Sequence, residues 1–483
     1  MTALNDGESR EDEAFRVESE HVSVIGGRTL GYTAIVERTV IPGAGEEIRA
    51  SIISTSYFLR SDVMRPVVFA FNGGPASASF WLHLGMLGPR RLDLDGDDGL
   101  GVHPPTSPPF HLVDNAESLL DVADIVLYDP PDTGYSRTLG ETAHGFHSVE
   151  ADAKATVEFI RAWLTRHRRW NAPKYMLGES YGSIRAAAVA DLLAGGVNTT
   201  GKLDAISLNG VILLSQTMDQ SQKSGDLRLL SSLTTMAAVA HYHGEHHDNS
   251  LGLEHHVEQA RRFVAEDYVV ALYAGASLEA AERHRIAARL AELIGLPRAL
   301  LLEKNLRIDS KDFARELLRD RGLHVGLYDG RYSLPQLAAG DDLVGDDPAM
   351  GQYTPAFVAA INDYFYRELG VDLPLRYETV NFQGVYRHWD YGNGPGNPAN
   401  TNFAPRLAKA MRRNPAMKLF VGCGYYDLAT PIGDAEYTLL HASIEMKRVQ
   451  FGYYESGHLP YLGMQSRRNL AADLRKFMTS DQS

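Results

Sequence analysis

The stretch KYMLGESYGS, residues 174–183, decides the fold of this chain. An apolar run that favours a strand leads into a Gly-x-Ser-x-Gly turn, and an alanine-rich helical pattern follows at residues 186–193. Strand, sharp turn and helix in this order are the context of a nucleophile elbow, in which a strained turn presents a serine at the end of a sheet. The stretch therefore predicts that Ser180 is a nucleophile. The alternative is a glycine-rich surface turn with an incidental serine.

Composition and charge narrow the class of protein. The chain has 483 residues, enough to bury a large core, and its net charge of −14 argues against nucleic-acid binding. Its single cysteine, Cys423, allows no intrachain disulfide, as is usual in reducing compartments. The first ten residues lack the basic and apolar regions of a signal peptide, and no run of about 18 apolar residues could span a membrane. We expect a cytoplasmic protein that does not bind membranes; a mature secreted form is the alternative.

Strand patterns alternate with helical patterns on both sides of the elbow. Residues 66–71 and 125–128 are continuously apolar, as strands buried on both faces are. Ser148 is a candidate N-cap for a helix that reaches about residue 166. Together with further strand patterns near residues 208–214 and 449–454, this alternation predicts an α/β fold with a mostly parallel central sheet flanked by helices.

The chain divides into four predicted segments. Residues 1–18 are charged and are predicted to form a disordered N-terminal tail. Residues 19–215 and 401–483 carry the strand patterns of the first and second parts of the α/β core. Between them, residues 216–400 show mainly helical patterns and a higher density of charge. We interpret this segment as a mostly helical cap, inserted over the edge of the sheet where ligands bind.

A serine hydroxyl is a weak nucleophile and needs a base, which in turn needs an orienting group. Asp427 follows a predicted strand at residues 419–422, and His458 follows the strand near 449–454. The order serine, acid, histidine is the one that nucleophile-elbow hydrolases use. We therefore predict a triad of Ser180, Asp427 and His458. Taken singly, an aspartate in such a loop is more often a turn former, and a histidine a surface residue.

Four separated blocks make this chain similar to one enzyme family. They are NGGP at residues 72–75, NAES to PPDTGYS within residues 115–136, GESYG at residues 178–182, and the Asp427 loop with Gly457-His458. In this set the chain resembles the serine carboxypeptidase family of α/β-hydrolases, which includes carboxypeptidase Y and cathepsin A. The resemblance implies an α/β-hydrolase fold and a serine-type carboxypeptidase that removes C-terminal residues from a peptide through an acyl-enzyme.

The same resemblance implies roles for the triad. Ser180 is the nucleophile, His458 is the general base and acid, and Asp427 orients the histidine. The family needs no cofactor and no metal, and its substrate is a peptide. The sequence gives no indication of the oligomeric state.

Five further residues correspond to binding positions of the family. The resemblance implies that the backbone N–H groups of Gly74 and Tyr181 form the oxyanion hole. It also implies that Asn72, Gly73 and Glu179 bind the free C-terminal carboxylate of the substrate. A glutamate binds a carboxylate when the two share a proton, because neighbouring like charges raise one pKa strongly.

Two positions depart from the family pattern and keep other functions open. Ala70 stands where the family has a tryptophan, and Met86 stands where it has a second glutamate. Carboxylate binding is therefore less well supported than acyl chemistry, and we expect an activity optimum nearer to neutral pH. The alternatives are a carboxypeptidase-like acyltransferase or esterase and, in a different class, a catalytically silent binding protein on the same fold.

Two other features are interpreted as structural. The histidine-rich run at residues 241–248, with His255 and His256, has no HExxH motif and no cysteine partner. We interpret it as the solvated end of a cap helix and predict no metal site. The lone Cys423 is predicted to be packed rather than nucleophilic.

Overall fold

The apolar runs that predict strands form one large sheet. The computed structural model describes residues 14–43, 48–96, 99–140, 145–196, 203–245, 252–337 and 342–479. The strands within these residues are β1 Arg16–Ile25, β2 Arg28–Pro42, β3 Arg49–Leu59, β4 Val67–Phe71, β5 Arg90–Leu92, β6 Leu112–Asp114, β7 Asp124–Tyr128, β8 Arg137–Leu139, β9 Lys174–Glu179, β10 Gly210–Leu214, β11 Leu323–Val325, β12 Ser333–Pro335, β13 Lys418–Gly424 and β14 Val449–Tyr454.

Strand order places the loops of the predicted site at one edge. The large sheet has the order β1-β2-β3-β7-β4-β9-β10-β13-β14, with β8 beside β3. Strands β1, β2, β3 and β7 pair antiparallel, and all pairs from β7 to β14 are parallel. Ligands of such sheets bind beyond the carboxyl ends of the strands. The loops after β4, β9, β13 and β14 meet there, and they carry Asn72, Ser180, Asp427 and His458.

Helices cover both faces of this sheet and make up most of the inserted segment. They are α1 Phe80–Leu82, α2 Val149–Arg166, α3 Gly182–Leu193, α4 Gly225–His243, α5 Leu253–Phe263, α6 Val269–Ala274, α7 Ala280–Ile294, α8 Arg298–Glu303, α9 Ser310–Glu316, α10 Pro348–Arg367, α11 Ala404–Arg413, α12 Ile432–His441 and α13 Met464–Thr479. The predicted cap on α2 is confirmed, since the Ser148 side chain accepts from the N–H of Ala151 at 3.2 Å.

The residues of β4 show why its sequence is apolar without interruption. Val67, Phe69 and Phe71 point into one hydrophobic cluster, which also contains residues of α2 and α3. Val68 and Ala70 point into a second cluster, shared with α10 and α13. Both faces of the strand are therefore buried, as a central strand of a doubly wound sheet requires. The predicted mostly parallel α/β architecture is confirmed.

The structure corrects one predicted boundary and fills in the inserted segment. Strand β1 begins at Arg16, because residues 16–25 pair with β2 along their whole length. The predicted disordered tail is therefore wrong for residues 16–18, while residues 1–13 lie outside the described part. The segment predicted as a cap contains the helices α4 to α10 and the β11–β12 hairpin. Its last part, residues 368–400, has one short helical turn among the described residues, Tyr386–His388. None of the helices in the described ranges is both long and apolar enough to cross a membrane.

Candidate active site

Ser180 lies on a strained turn between β9 and α3. Its φ is +58°, a left-handed conformation that a residue with a side chain adopts only where its surroundings require it. Its backbone N–H donates to the carbonyl of Leu214 at 2.9 Å, which fixes the turn against β10. A Cβ on Gly178 would lie 2.2 Å from the carbonyl oxygen of Gly182, so the two glycines of the motif allow strand and helix to meet. The geometry is that of a nucleophile elbow.

Asp427 and His458 form a hydrogen-bonded pair at the same sheet edge. His458 Nδ1 lies 2.8 Å from Asp427 Oδ2, and the side chain of Asp427 is 1 % exposed. The other carboxylate oxygen, Oδ1, accepts from the N–H groups of Ala429 at 3.0 Å and Thr430 at 2.9 Å. Burial alone would lower the pKa of His458, but the charge and hydrogen bond of Asp427 outweigh it and raise that pKa above its usual value. The imidazole is therefore oriented and made more basic.

Ser180 and His458 line one cavity. The backbone of His458 is held from two sides. The His458 N–H donates to the carbonyl of Tyr328 at 2.6 Å, and the His458 carbonyl accepts from Ser215 Oγ at 2.7 Å. Since Nδ1 is engaged by Asp427, Nε2 is the nitrogen left for the serine and the substrate. The structure thus brings together the three residues of the predicted triad. Their catalytic roles stay predictions.

Gly73 and Gly74 place the loop after β4 directly against the elbow. A Cβ on Gly73 would lie 2.5 Å from the backbone nitrogen of Tyr181, and Gly74 has a φ of +103°. Within the described residues, the N–H groups of Gly74 and Tyr181 donate to no backbone carbonyl. Tyr181 also precedes α3, whose positive dipole end faces the cavity. The arrangement suits the stabilisation of an oxyanion.

Asn72 and Glu179 form the polar wall of the cavity. Asn72 Nδ2 donates to Glu179 Oε1 at 2.6 Å, while Asn72 Oδ1 accepts from the N–H of Leu82 at 3.1 Å. Glu179 is 2 % exposed, and its burial raises the pKa of the carboxyl group to about 7. A glutamate with that pKa is partly protonated near neutral pH, so it is able to donate a hydrogen bond to an anion. The predicted carboxylate-binding residues Asn72, Gly73 and Glu179 therefore all line the cavity that contains Ser180.

Sequence reasoning missed Arg185, which supports the elbow from beneath. Its guanidinium is fully buried, pairs with Asp152 at 2.8 Å and donates to the backbone carbonyl of Asn72 at 2.8 Å. The cation also lies 5.2 Å from the ring centre of Phe71 and 5.4 Å from that of Tyr181. A single arginine directly before the alanine-rich pattern that begins at residue 186 was the available signal. Its partner lies on α2, which sequence spacing does not reveal.

The cap residues of the cavity were also missed. They share an apolar or aromatic surface and are Tyr328, Met350, Val380 and Phe382. Their counterparts from the core are Trp81 and Leu459. The ring of Tyr328 meets the imidazole of His458 edge-on at 5.2 Å between ring centres. No motif marks these residues, because any apolar side chain of suitable shape serves at such positions.

A buried ion pair joins the cap to the histidine loop. Arg331 binds Asp329 at 2.6 Å and also donates to the backbone carbonyls of Leu100 at 3.1 Å and Glu455 at 3.0 Å. A Cβ on Gly457 would lie 2.4 Å from Asp329 Cβ, so the glycine before His458 allows the two loops to touch. The base loop is therefore held by the inserted segment as well as by the sheet.

The structure describes part of the histidine-rich run and all of the Cys423 surroundings, and it corrects one interpretation. In the described ranges no group of three or more metal-binding side chains is assembled. His256 is buried, and its Nε2 lies 2.9 Å from the carbonyl oxygen of Leu293, so the interpretation of the whole run as solvated is wrong for this residue. The described part of the run ends at residue 245. Cys423 is buried, as predicted, and burial raises the pKa of its thiol far above its usual value.

Comparisons with known proteins match part of this chain to one family. Residues 57–267 match the model of the family described as serine carboxypeptidase. A curated relative, serine carboxypeptidase-like 16 of Arabidopsis thaliana, is 30% identical over 182 residues, which are 37% of this chain and 39% of that protein. The matched family segment includes Asn72 and Ser180 and ends before Asp427 and His458.

A solved structure has a similar fold along most of the chain. Kex1(delta)p, a prohormone-processing carboxypeptidase from Saccharomyces cerevisiae, superimposes with a TM-score of 0.56 at 14% identity, covering 94% of this chain and 92% of that one. At that identity the likeness speaks for the fold, and the predicted α/β-hydrolase fold is confirmed.

Proposed function

We propose, from the confirmed resemblance of this chain to the serine carboxypeptidase family, that it is a serine-type carboxypeptidase acting on the C-terminal residues of peptides. One observation carries the proposal. Ser180, on its strained turn, shares a cavity with His458, which Asp427 orients, and with the polar pair Asn72 and Glu179. The first three residues suit acyl transfer, and the last two suit recognition of a free carboxylate.

In the acylation step, His458 Nε2 accepts the proton of Ser180 Oγ as this oxygen attacks the carbonyl carbon of the last peptide bond. The negative charge that develops on the carbonyl oxygen is stabilised by the N–H groups of Gly74 and Tyr181. One such donor typically lowers the barrier by about 3 kcal/mol. His458 then protonates the leaving amine, the C–N bond breaks, and the C-terminal residue departs.

In the deacylation step, a water molecule takes the place of that amine. His458 accepts a proton from the water, which attacks the ester carbonyl of the acyl-enzyme. Collapse of the second tetrahedral intermediate returns the proton to Ser180 Oγ and releases the shortened peptide. Throughout, the carboxylate of Asp427 keeps Nε2 directed at the reacting atoms and stabilises the imidazolium.

Three forms of one N-blocked dipeptide test this function: the free acid, the amide and the ester. The proposal expects cleavage of the free acid with the lowest KM, since only this form has a carboxylate for Asn72 and Glu179 to bind. Ser180→Ala is expected to abolish turnover of all three forms. Turnover of the ester alone contradicts the carboxypeptidase assignment, and failure of a fluorophosphonate to label Ser180 points to a silent binding protein.

A serine carboxypeptidase-like acyltransferase or esterase is the second candidate. It is favoured by Ala70 and Met86, both fully buried in apolar surroundings where the family pattern has a tryptophan and a second glutamate. Addition of an alcohol acceptor to the ester assay separates this candidate from simple hydrolysis. A transferase forms the new ester in preference to the free acid.

A further inference from the structure

Tyr461 lies behind the polar wall of the cavity and has no role in the mechanism above. It follows His458 by three residues, and its ring is completely buried. A Cβ on Gly85 would lie 2.4 Å from Cε2 of this ring, so the ring occupies the space that a side chain at position 85 would need. Tyr461 is therefore packed against Gly85. The next residue, Met86, stands where the family pattern has its second glutamate.

Two buried polar atoms in this region lie close to each other. Within the described residues, neither the Tyr461 hydroxyl nor Glu179 Oε2 makes a hydrogen bond of standard geometry. The hydroxyl is nevertheless close enough to Glu179 and Asn72 for each of these side chains to influence its pKa. Unpaired buried polar groups are costly, so two of them close together need a physical explanation. These two atoms are complementary, because the hydroxyl donates and the carboxylate accepts.

We propose that Tyr461 is a positioning residue for Glu179, taking the place of the missing second carboxylate. When Glu179 is ionised, the Tyr461 hydroxyl donates to Oε2. When Glu179 is protonated, its proton points to the incoming substrate carboxylate. The Tyr461 hydroxyl still holds the orientation of the Glu179 carboxyl group. The inference deepens the proposed function and rests on it for the identity of the substrate.

The surroundings of both groups determine what a titration reports. Glu179 feels the charges of His458 and Asp427 and the hydrogen-bonding groups of Asn72 and Tyr461. Tyr461 is affected by Glu179, Asn72 and Tyr353, and its own pKa lies well above the usual value because it is buried. The hydroxyl therefore stays protonated across the accessible pH range. A neutral donor stabilises ionised Glu179 without adding the charge that a second glutamate would bring.

The direct test is the titration of Glu179 by carbon-13 NMR of glutamate-labelled protein, with the Glu179 signal identified as the one lost in Glu179→Gln. Tyr461→Phe removes the donor, disfavours the ionised carboxyl group and is expected to raise its titration midpoint by about one pH unit. Gly85→Ala, which pushes the intact ring away, is expected to shift the midpoint in the same direction. This readout does not depend on turnover, so it separates failure of this inference from failure of the proposed function.

Kinetics give the second readout. With the free-acid dipeptide, KM is expected to begin to rise at a pH about one unit higher in Tyr461→Phe. With the amide, kcat of this variant is expected to stay unchanged. The matched control is Tyr128→Phe, because the Tyr128 hydroxyl is also buried and makes no hydrogen bond of standard geometry among the described residues, but Tyr128 does not line the cavity. An unchanged or lowered midpoint in folded Tyr461→Phe overturns the proposal, as does an equal shift in Tyr128→Phe.

Discussion

The cavity has two halves that are built differently. The half from the core carries the charged and polar groups of the site, beside the apolar Trp81 and Leu459, and these groups are buried and fixed: Asp427 accepts two backbone N–H bonds besides its bond to His458, and Glu179 is held by Asn72. The half from the inserted segment consists of apolar side chains, and one of them, Phe382, is 54% exposed. The groups that need exact geometry for the reaction thus lie on the sheet, and the apolar contacts that tolerate variation lie on the cap.

The difference follows from how each half is attached. The triad and the Asn72–Glu179 pair lie within a few positions of the ends of parallel strands, where the backbone ladder sets their positions. The cap half is brought in by loops such as that of Tyr328, which is anchored through the Arg331–Asp329 pair. We therefore expect changes in the triad of the core half to reduce kcat and changes in the cap half to alter KM and selectivity.

The largest effect is expected from Asp427→Asn. The amide leaves the shape of the site unchanged but cannot stabilise the imidazolium of His458 or hold its reactive tautomer. We expect a loss of roughly 10⁴-fold in kcat on the free-acid dipeptide, with little change in KM. Steady-state kinetics at neutral pH provide the measurement.

Asp124→Asn is the matched control for that change. Asp124 is equally buried and pairs with Arg65 and Arg169, but it lies at the amino end of β7, at the opposite edge of the sheet. We expect this variant to be less stable and to keep its kcat. Equal losses of kcat in the two variants would mean that general destabilisation, rather than the orientation of His458, explains the effect.

Sequence reasoning located the core half because motif and topology agree there. The GESYG turn lies between an apolar strand and an alanine-rich helix, and Asp427 and His458 follow later strands in the expected order. It did not find Arg185 or Tyr461. Arg185 pairs with Asp152 across two helices, and Tyr461 is placed by the space above Gly85. Such contacts depend on how elements pack together, and the spacing of residues in a single sequence does not reveal the partners.

The second-largest effect is expected on stability, from Arg185→Leu. This change leaves the Asp152 carboxylate buried without its partner and removes the donor to the Asn72 carbonyl. We expect the free energy of unfolding to fall by about 3–5 kcal/mol, measured by urea denaturation. In the double variant Arg185→Leu/Asp152→Leu no unpaired charge remains, so most of that stability should return.

The double variant also shows whether Arg185 only stabilises the fold or also positions the active site. If Arg185 positions Asn72, kcat/KM on the free-acid dipeptide stays low in the double variant although stability recovers. Recovery of both quantities would show that the arginine serves only the stability of the core. Arg65→Leu, at the far edge of the sheet, serves as the control that should lose stability without losing kcat.

The third effect is a pH dependence that differs between substrates. For the amide, kcat/KM is expected to rise as His458 loses its proton, with a midpoint above the usual 6.5, and then to stay level. For the free acid it is expected to fall again above about pH 7, because Glu179 ionises there and repels the substrate carboxylate. Measurement of kcat/KM for both substrates between about pH 5 and pH 9 tests whether each profile rises and falls as expected.

Glu179→Gln sharpens that measurement. Glutamine donates a hydrogen bond at every pH, so the falling limb of the free-acid profile should disappear while the rising limb of His458 remains. Identical profiles for free acid and amide in the unmodified protein would contradict a role of Glu179 in carboxylate binding. An optimum at about pH 4 to 5 would contradict the expectation that the loss of one carboxylate moves activity toward neutral pH.

The smallest effect is expected from the cap half, for Phe382→Ala. Because this side chain is already 54% exposed, its removal takes away only part of the apolar contact with a substrate side chain, worth about 1 kcal/mol. We expect KM for a dipeptide with a large apolar residue to rise about fivefold at unchanged kcat, with no change for a dipeptide with a small residue. Tyr366→Ala is the control, since Tyr366 is 67% exposed and lies outside the cavity lining. A large loss of kcat in Phe382→Ala would instead place the cap in the chemical step and remove the distinction between the two halves.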